Sequence, residues 1–305
     1  MLKIKIAYIG GGSRNWARVF MNDLTLDGEL CGEIALYDID ADAALRNKKI
    51  GERLCALPEA RSQWTYTVSE NLDSALKGAD FVVISILPGT FEDMRSDVHA
   101  PEKYGVYQSV GDTAGPGGVL RAMRTVPVFE YFADAVRRNC PDAWVINFTN
   151  PMSVCVKALY GAFPGIKAFG CCHEVFNAQK YLCAVYSDMT GKARPDRREL
   201  VTEVAGVNHF TFITKAHIGR EDLLAMLPAF MEKYPDGYYI DNSAHSKEGK
   251  PFADRGLVKL DLFRRYGALG AAGDRHLVEF CNSAWYLKNP EYVGAYGVKL
   301  TPVDY

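Results

Sequence analysis

A thiol, an imidazole and a carboxylate stand in succession at Cys172, His173 and Glu174. They follow an apolar run, Ile166 to Phe169, that reads as a short strand, and they precede a helix-like run from Val175 to Val185. In an open α/β sheet the residues just past a strand's carboxyl end face the crevice where ligands sit. Three such groups together make a candidate metal or acid/base station. The same stretch also reads as a buried pair, Cys171 and Cys172, beside a helix-capping His and Glu, because a free Cys is usually a small core hydrophobe.

The elements that would position this station begin at the amino terminus. Lys3 to Ile9 is an apolar-rich strand, followed by Gly10-Gly11-Gly12-Ser13-Arg14-Asn15 and a helical pattern through Trp16, Val19, Phe20 and Leu24. Strand, glycine turn and helix form the setting in which a dinucleotide pyrophosphate meets backbone amides, so Gly10, Gly12 and Ser13 are candidate cofactor contacts. Asn15 stands where a third glycine would complete the fingerprint. The next strand, Glu33 to Tyr37, ends at Asp38. An acid there accepts hydrogen bonds from ribose hydroxyls and repels a 2′-phosphate, which favours NAD over NADP.

Further on, a polar helix from Ala41 to about Leu57 leads to strand Thr65 to Val68, a helix at Leu72 to Leu76 and the apolar strand Asp80 to Leu87. Continuous apolar strands alternating with helices argue for a doubly wound parallel sheet. Tyr104 to Gly118 reads as a glycine-bearing loop, either a lid or a plain connector, before a helix from about Leu120 to Asn139. Strand Ala143 to Phe148 ends at Thr149-Asn150-Pro151, and Asn150 could orient a substrate hydroxyl or cap the helix over Ser153 to Tyr160. From about Pro195 the texture changes. Strands Leu200 to Val207 and Phe210 to Ala216 flank Asn208-His209, and loops rich in Tyr, Gly and Asp follow, the pattern of an α+β domain. The expected division is a dinucleotide-binding domain over 1–195 and a substrate and metal domain over 196–305.

The bulk numbers exclude some classes. A net charge of -2 over 305 residues offers no field for nucleic acid or an anionic membrane, and no basic run stands out. Met1 to Ala7 alternates like a strand and lacks the apolar core and cleavage site of a signal peptide, while Phe81 to Leu87 is too short to span a bilayer. A cytoplasmic protein is expected. Eight cysteines without a C-x-x-C pair read as reduced thiols, mostly in the core.

Taken in order, the glycine turn with Asp38, Asn150-Pro151-Met152, Cys172-His173-Glu174-Val175, Val207-Asn208-His209 and Gly273-Asp274-Arg275-His276 resemble glycoside hydrolase family 4, the NAD- and manganese-dependent glycosidases. The Cys-His-Glu-Val form is similar to that of the α-galacturonidases within the family. The resemblance implies a lactate-dehydrogenase-like Rossmann domain and cleavage without the two carboxylates of ordinary glycosidases. NAD⁺ would oxidise the sugar's C3 hydroxyl, a base would remove the acidified C2 proton, the glycosidic oxygen would leave by elimination, water would add at C1, and NADH would reduce C3 again.

The resemblance also implies roles. Cys172 and His209 match the metal ligands, with Mn²⁺ as the Lewis acid for ketone and enolate. Ligand softness alone would suggest zinc, so manganese rests on the family. Asp274 matches the C2 base, or is a helix N-cap, and His173 matches the general acid, for which a pKa of about 6.5 suits neutral pH. Asn150 would hold sugar hydroxyls. Glu174 is the specificity feature, although it would repel a uronate carboxylate unless a cation or proton intervenes. Arg275 and Arg95 are candidates to pair with that carboxylate, since Arg binds carboxylates bidentately.

His276, His99, His217 and His245 read as helix-face, structural or solvated residues. The implied partner is a small α-galacturonide, and the implied assembly a homo-oligomer, dimer or tetramer. Family members continue past the point where this chain ends at Tyr305, so its second domain reads as truncated. Another family 4 α-glycosidase, an NAD-dependent 2-hydroxy-acid dehydrogenase and a non-catalytic NAD-binding fragment are the alternatives.

Overall fold

The computed structural model of the protein describes residues 1–240, 254–298 and 300; His245 lies outside them. Its elements run β1 (Leu2–Ile9), α1 (Trp16–Leu26), β2 (Leu30–Tyr37), α2 (Ala41–Cys55), β3 (Trp64–Val68), α3 (Leu72–Leu76), β4 (Phe81–Ile84), α4 (Phe91–His99), α5 (Gly115–Asn139), β5 (Trp144–Asn147), α6 (Met152–Ala162), β6 (Lys167–Gly170) and α7 (Glu174–Thr190). After these come β7 (Val201–Val207), β8 (Phe210–Ile218), β9 (Glu221–Asp222), α8 (Leu227–Lys233), α9 (Leu257–Tyr266), β10 (Leu269–Gly270), α10 (Asp274–Leu277), α11 (Ser283–Tyr286) and α12 (Pro290–Ala295).

The chain forms two compact units, 1–89 with 122–171, and 90–121 with 172–305. This partition differs from the expected boundary at 195. It puts the loop before α5 and the whole of α7 with the later residues, because α7 buries Tyr181, Leu182 and Val185 against Ile213, Leu227 and Phe230.

The first unit is a six-stranded sheet in the order β3-β2-β1-β4-β5-β6, parallel throughout. That is the doubly wound dinucleotide-binding order, with its switch point between β1 and β4. The apolar strands are continuous because both faces are covered. Ala7, Ile9, Val82 and Ile84 pack on Phe129, Ala133 and Leu159, while Ile6, Tyr8, Ile34 and Val83 face Ala17, Met21 and Ala44. Strand to helix, β1 turns at Gly10, whose φ is +90° and where a Cβ would collide with the Ser85 carbonyl oxygen. Only glycine lets these two chains approach so closely.

The second unit carries the antiparallel order β10-β8-β7, with β9 also on β8. It bears the expected α+β character. Two elements depart from the sequence expectation. Helix α4 opens on a reciprocal cap, in which Thr90 Oγ1 accepts from Asp93 N at 3.1 Å and Asp93 Oδ2 accepts from Thr90 N at 2.7 Å. Helix α5 begins at Gly115, so the glycine-bearing loop is shorter than Tyr104 to Gly118. Gly115 turns the chain at φ +70°, and Pro116 follows with its φ already set for a first helical turn.

A buried charge cluster joins α9 to α10. Asp274 accepts from Val258 N at 2.9 Å and Lys259 N at 3.1 Å, capping α9. Lys259 Nζ lies 2.7 Å from Asp254 Oδ2 and 3.1 Å from Asp274 Oδ1. Burial alone would lower the Lys259 pKa, but the two carboxylates hold it well above its ordinary value. Among the described residues no helix is long and apolar enough to cross a membrane.

Gly10→Ala is expected to cost about 3 kcal/mol or more, combining left-handed strain with a backbone collision, as read by chemical denaturation. Lys259→Met is expected to cost about 3–5 kcal/mol at pH 7 because it strands two buried carboxylates. Without the cation, Asp254 rises from below the unfolded value of about 3.9 to above it, and Asp274, already held up at about 6, rises further. The variant's deficit is therefore largest above those raised values and shrinks as pH falls towards about 4, which denaturation at several pH values would read.

Candidate functional site

In the first unit the candidate dinucleotide turn is assembled by Asp38 and by a residue not singled out from sequence, Asn47. Gly12 N donates to Asp38 Oδ2 at 2.8 Å, and Asp40 N donates to Asp38 Oδ1 at 2.9 Å. A Cβ on Gly12 would stand 2.9 Å from Asp38 Oδ2 and 2.6 Å from Ala43 Cβ, so a side chain has no room there. Asn47, fully buried on α2, donates through Nδ2 to both Gly11 O and Ser13 O at 2.8 Å. Its Oδ1 accepts from Arg18 Nε at 3.0 Å. A polar residue in the apolar stripe of α2 is the only signal of this lock in the sequence.

Asn15 at the start of α1 makes no side-chain cap, so its side chain does not occupy the first amides of that helix. A glycine cradle closed to any Cβ, with an acid at the tip of β2, fits a dinucleotide. Asn150, at the far end of β5, is half-buried in this same unit.

In the second unit the ligand-capable atoms of Asp112, His209 and His276 lie within 4.8 Å of one another. The His209 and His276 ring centroids are 3.9 Å apart. Thr113 links the group, its Oγ1 donating to Asp112 Oδ1 at 2.7 Å and lying 3.2 Å from His209 Nδ1. Burial, reinforced by His276, lowers the His209 pKa to about 4, so at pH 7 the ring is the neutral form that a metal takes. Burial alone would raise Asp112, but His276, Arg121 and the Thr113 hydroxyl hold it below the ordinary carboxylate range. It is an anionic oxygen donor.

Cys172 adjoins this group through Asn208, the chain neighbour of His209, whose side chain hydrogen-bonds the thiol, and through the Glu174 amide. Burial nonetheless pushes the Cys172 pKa up, so a bound cation would be what holds a thiolate there. Two buried polar atoms, Asn208 Oδ1 and His276 Nδ1, have no hydrogen-bond partner among the described residues. Orphaned polar atoms beside a carboxylate and a neutral imidazole fit a divalent cation.

Asp112 and His276 were absent from the ligands anticipated. His276 reads as a helix-face residue, and α10, a single turn, is too short for the sequence to show what that face meets. Asp112 sat in a loop whose course gave no periodicity.

The remaining sequence candidates divide sharply. His173 is exposed at the start of α7, with Nε2 3.4 Å from Glu174 Oε1. The other Glu174 oxygen accepts from Gly273 N at 2.6 Å, so Glu174 fastens the segment that carries His276. Asp274 is 4% exposed and committed to the α9 cap and Lys259. Burial, then the Asp254 charge, push its pKa up to about 6. The alternative of a helix cap describes this placement, although the helix capped is α9 rather than its own. Arg275 is buried and donates from Nη2 to Ser109 O at 3.1 Å, whereas Arg95 is half-exposed on α4, 3.4 Å from Glu92. All eight cysteines are free thiols.

These features find close counterparts elsewhere. The chain is 51% identical over 302 residues to the alpha-galacturonidase of Thermoanaerobacterium saccharolyticum, covering 99% of this chain and 65% of that protein; it thus spans just under two thirds of that relative's length. The crystal structure of lplD from Bacillus subtilis superposes with a TM-score of 0.92 at 48% identity, over 99% of this chain and 68% of the other. A 6-phospho-alpha-glucosidase from gut microorganisms, solved in complex with NAD and Mn²⁺, shares the fold at a TM-score of 0.71 and 22% identity, over 97% of this chain and 65% of the other. Residues 5–187 match the model of the family 4 glycosyl hydrolases and residues 204–301 match that of their C-terminal domain. With the glycine turn in one match and His209 and His276 in the other, the chain belongs to family 4 of the glycosyl hydrolases.

Proposed function

We propose that this protein hydrolyses α-linked galacturonides with NAD and Mn²⁺ as cofactors. What carries the reading is the joining of Cys172 to the Asp112, His209 and His276 group through Asn208, in a chain half identical to alpha-galacturonidases along nearly its full length. Bound NAD⁺ would supply a hydride acceptor for the sugar's C3 and a bound divalent ion a Lewis acid for its oxygens, which would make the C2 proton acidic and let the glycosidic oxygen leave by elimination.

The protein's own groups do the rest. Gly10, Gly12 and Ser13 receive the pyrophosphate, and Asp38 accepts from ribose hydroxyls while repelling a 2′-phosphate. Asp112, His209 and His276 would hold the cation, with Cys172, adjoining them through Asn208, as the sulfur ligand the family resemblance implies. His173, exposed at the head of α7, donates a proton to the leaving oxygen. Glu174 is spent on Gly273 N and His173, so it serves the site as a brace and does not itself meet the uronate. Of the two guanidiniums, Arg95 has the exposure to meet a substrate carboxylate and Arg275 does not; Asn150 holds sugar hydroxyls. Asp274, buried under Lys259, takes no part in proton transfer; the C2 proton passes to water, a proton returns to C2 as hydroxyl adds at C1, and the hydride returns to C3. The eight free thiols suit a reducing cytoplasm, and the working form is a homo-oligomer, dimer or tetramer.

Release of galacturonate from α-galacturonides is expected to require NAD⁺ and Mn²⁺, to carry solvent deuterium into C2, and to outpace release from α-glucuronides and α-glucosides. Chelation or Cys172→Ser should lower it by about 10²-fold or more, since several kcal/mol of charge stabilisation goes with the metal. Cleavage indifferent to chelator and to that substitution would refute the reading.

A further inference from the structure

The loop that delivers Asp112 is fastened at consecutive backbone groups. Gln108 holds its start, donating from Nε2 to Asp97 O at 2.7 Å and Val98 O at 3.1 Å, while its Oε1 accepts from Gly117 N at 2.8 Å. Arg275 then takes the Ser109 carbonyl at 3.1 Å. Glu279 Oε1 takes both following amides, Val110 N at 2.6 Å and Gly111 N at 2.8 Å. The next residue is Asp112. Arg275 and Glu279 flank His276 on one short segment, α10 and the helical turn Val278–Phe280 after it. That segment supplies one group of the cluster and fixes the backbone of another.

A carboxylate is an expensive group to bury for ordinary loop packing. Glu279 Oε2 is buried without a hydrogen-bond partner among the described residues, and burial pushes the Glu279 pKa up to about 7. The feature that matters is the single oxygen shared by two consecutive amides. A loop free to shift at Val110 and Gly111 would swing Asp112 out of reach of His209, and a ligand 1 Å out of place is a weak ligand.

We propose that Glu279 is a positioning residue for the metal centre, holding the amides of Val110 and Gly111 so that Asp112 faces His209 and His276. The inference rests on the reading of Asp112, His209 and His276 as a cation site, and the experiment separates the two.

Mn²⁺ alone is titrated into the full chain, with free Mn²⁺ followed by electron paramagnetic resonance, and the metal-free melting temperature is recorded beside each titration. Asp112→Asn and His209→Ala test the site itself, and each should weaken Mn²⁺ binding at least tenfold. Glu279→Gln keeps an oxygen for the two amides and should bind within threefold of the parent protein. Glu279→Ala and Glu279→Met remove the acceptor, the second while keeping most of the volume, and should weaken Mn²⁺ binding at least tenfold with a metal-free melting temperature close to that of Glu279→Gln.

Weakening by Asp112→Asn and His209→Ala with unchanged binding in Glu279→Ala and Glu279→Met would overturn the inference and leave the site standing. Equal weakening in Glu279→Gln and Glu279→Ala would overturn it too, since the acceptor would then be irrelevant. Loss of folding in both Glu279→Ala and Glu279→Met would assign Glu279 to the fold rather than the site and also overturn it. Unchanged binding in Asp112→Asn and His209→Ala would remove the site on which the inference depends.

Discussion

A buried carboxylate must be met by charge or hydrogen bonds, and in the second unit this demand organises nearly everything near Asp112. Its oxygen takes the Thr113 hydroxyl, and His276 and Arg121 hold it ionised against the burial that would neutralise it. His209 is buried beside it as a neutral ring. An anionic oxygen and an uncharged imidazole packed together, with His276 Nδ1 and Asn208 Oδ1 unpaired among the described residues, make an arrangement that a divalent cation would complete.

The same logic recurs one layer out. Three carboxylates that look catalytic by type spend themselves on backbone amides. Glu174 binds Gly273 N, Asp274 binds Val258 N and Lys259 N, and Glu279 binds Val110 N and Gly111 N. Each fixes a segment that precedes or carries a member of the metal-capable group or its supporting helix. Charge-assisted hydrogen bonds to amides are stronger and more directional than neutral ones, which suits loops that must hold side chains without the regular pairing of a sheet. In the first unit Asn47 does comparable work with neutral groups, closing on two carbonyls of the glycine turn.

This division of labour explains which residues tolerate reassignment. A carboxylate on a sequence motif can be a base, a ligand or a brace, and its partners decide. Asp274 is a brace because Lys259 and the α9 amides consume both oxygens. Glu174 is one because Gly273 N lies 2.6 Å away. His173, by contrast, is exposed at the start of α7, with Nε2 3.4 Å from Glu174 Oε1.

Much of the fold was legible along the chain. The parallel sheet follows from continuous apolar strands alternating with helices, because a strand buried on both faces has no polar positions to show. The glycine turn was legible because a left-handed φ and a close backbone approach exclude every other residue at Gly10. Asp38 stands out from its place after β2, and its Oδ2 accepts from Gly12 N in the glycine turn. Cys172 and His209 stood out together only through the family resemblance of the ordered motifs that carry them.

What sequence could not carry was which distant groups share a pair of oxygens. Asp112 lies 97 residues before His209, and Glu279 lies 168 residues after Gly111. Such pairings leave no periodicity and arise only when α4, α10 and the loop between α4 and α5 fold into one unit. Residue types set the chemistry available to this protein; the long-range backbone clamps decided which of those residues meet.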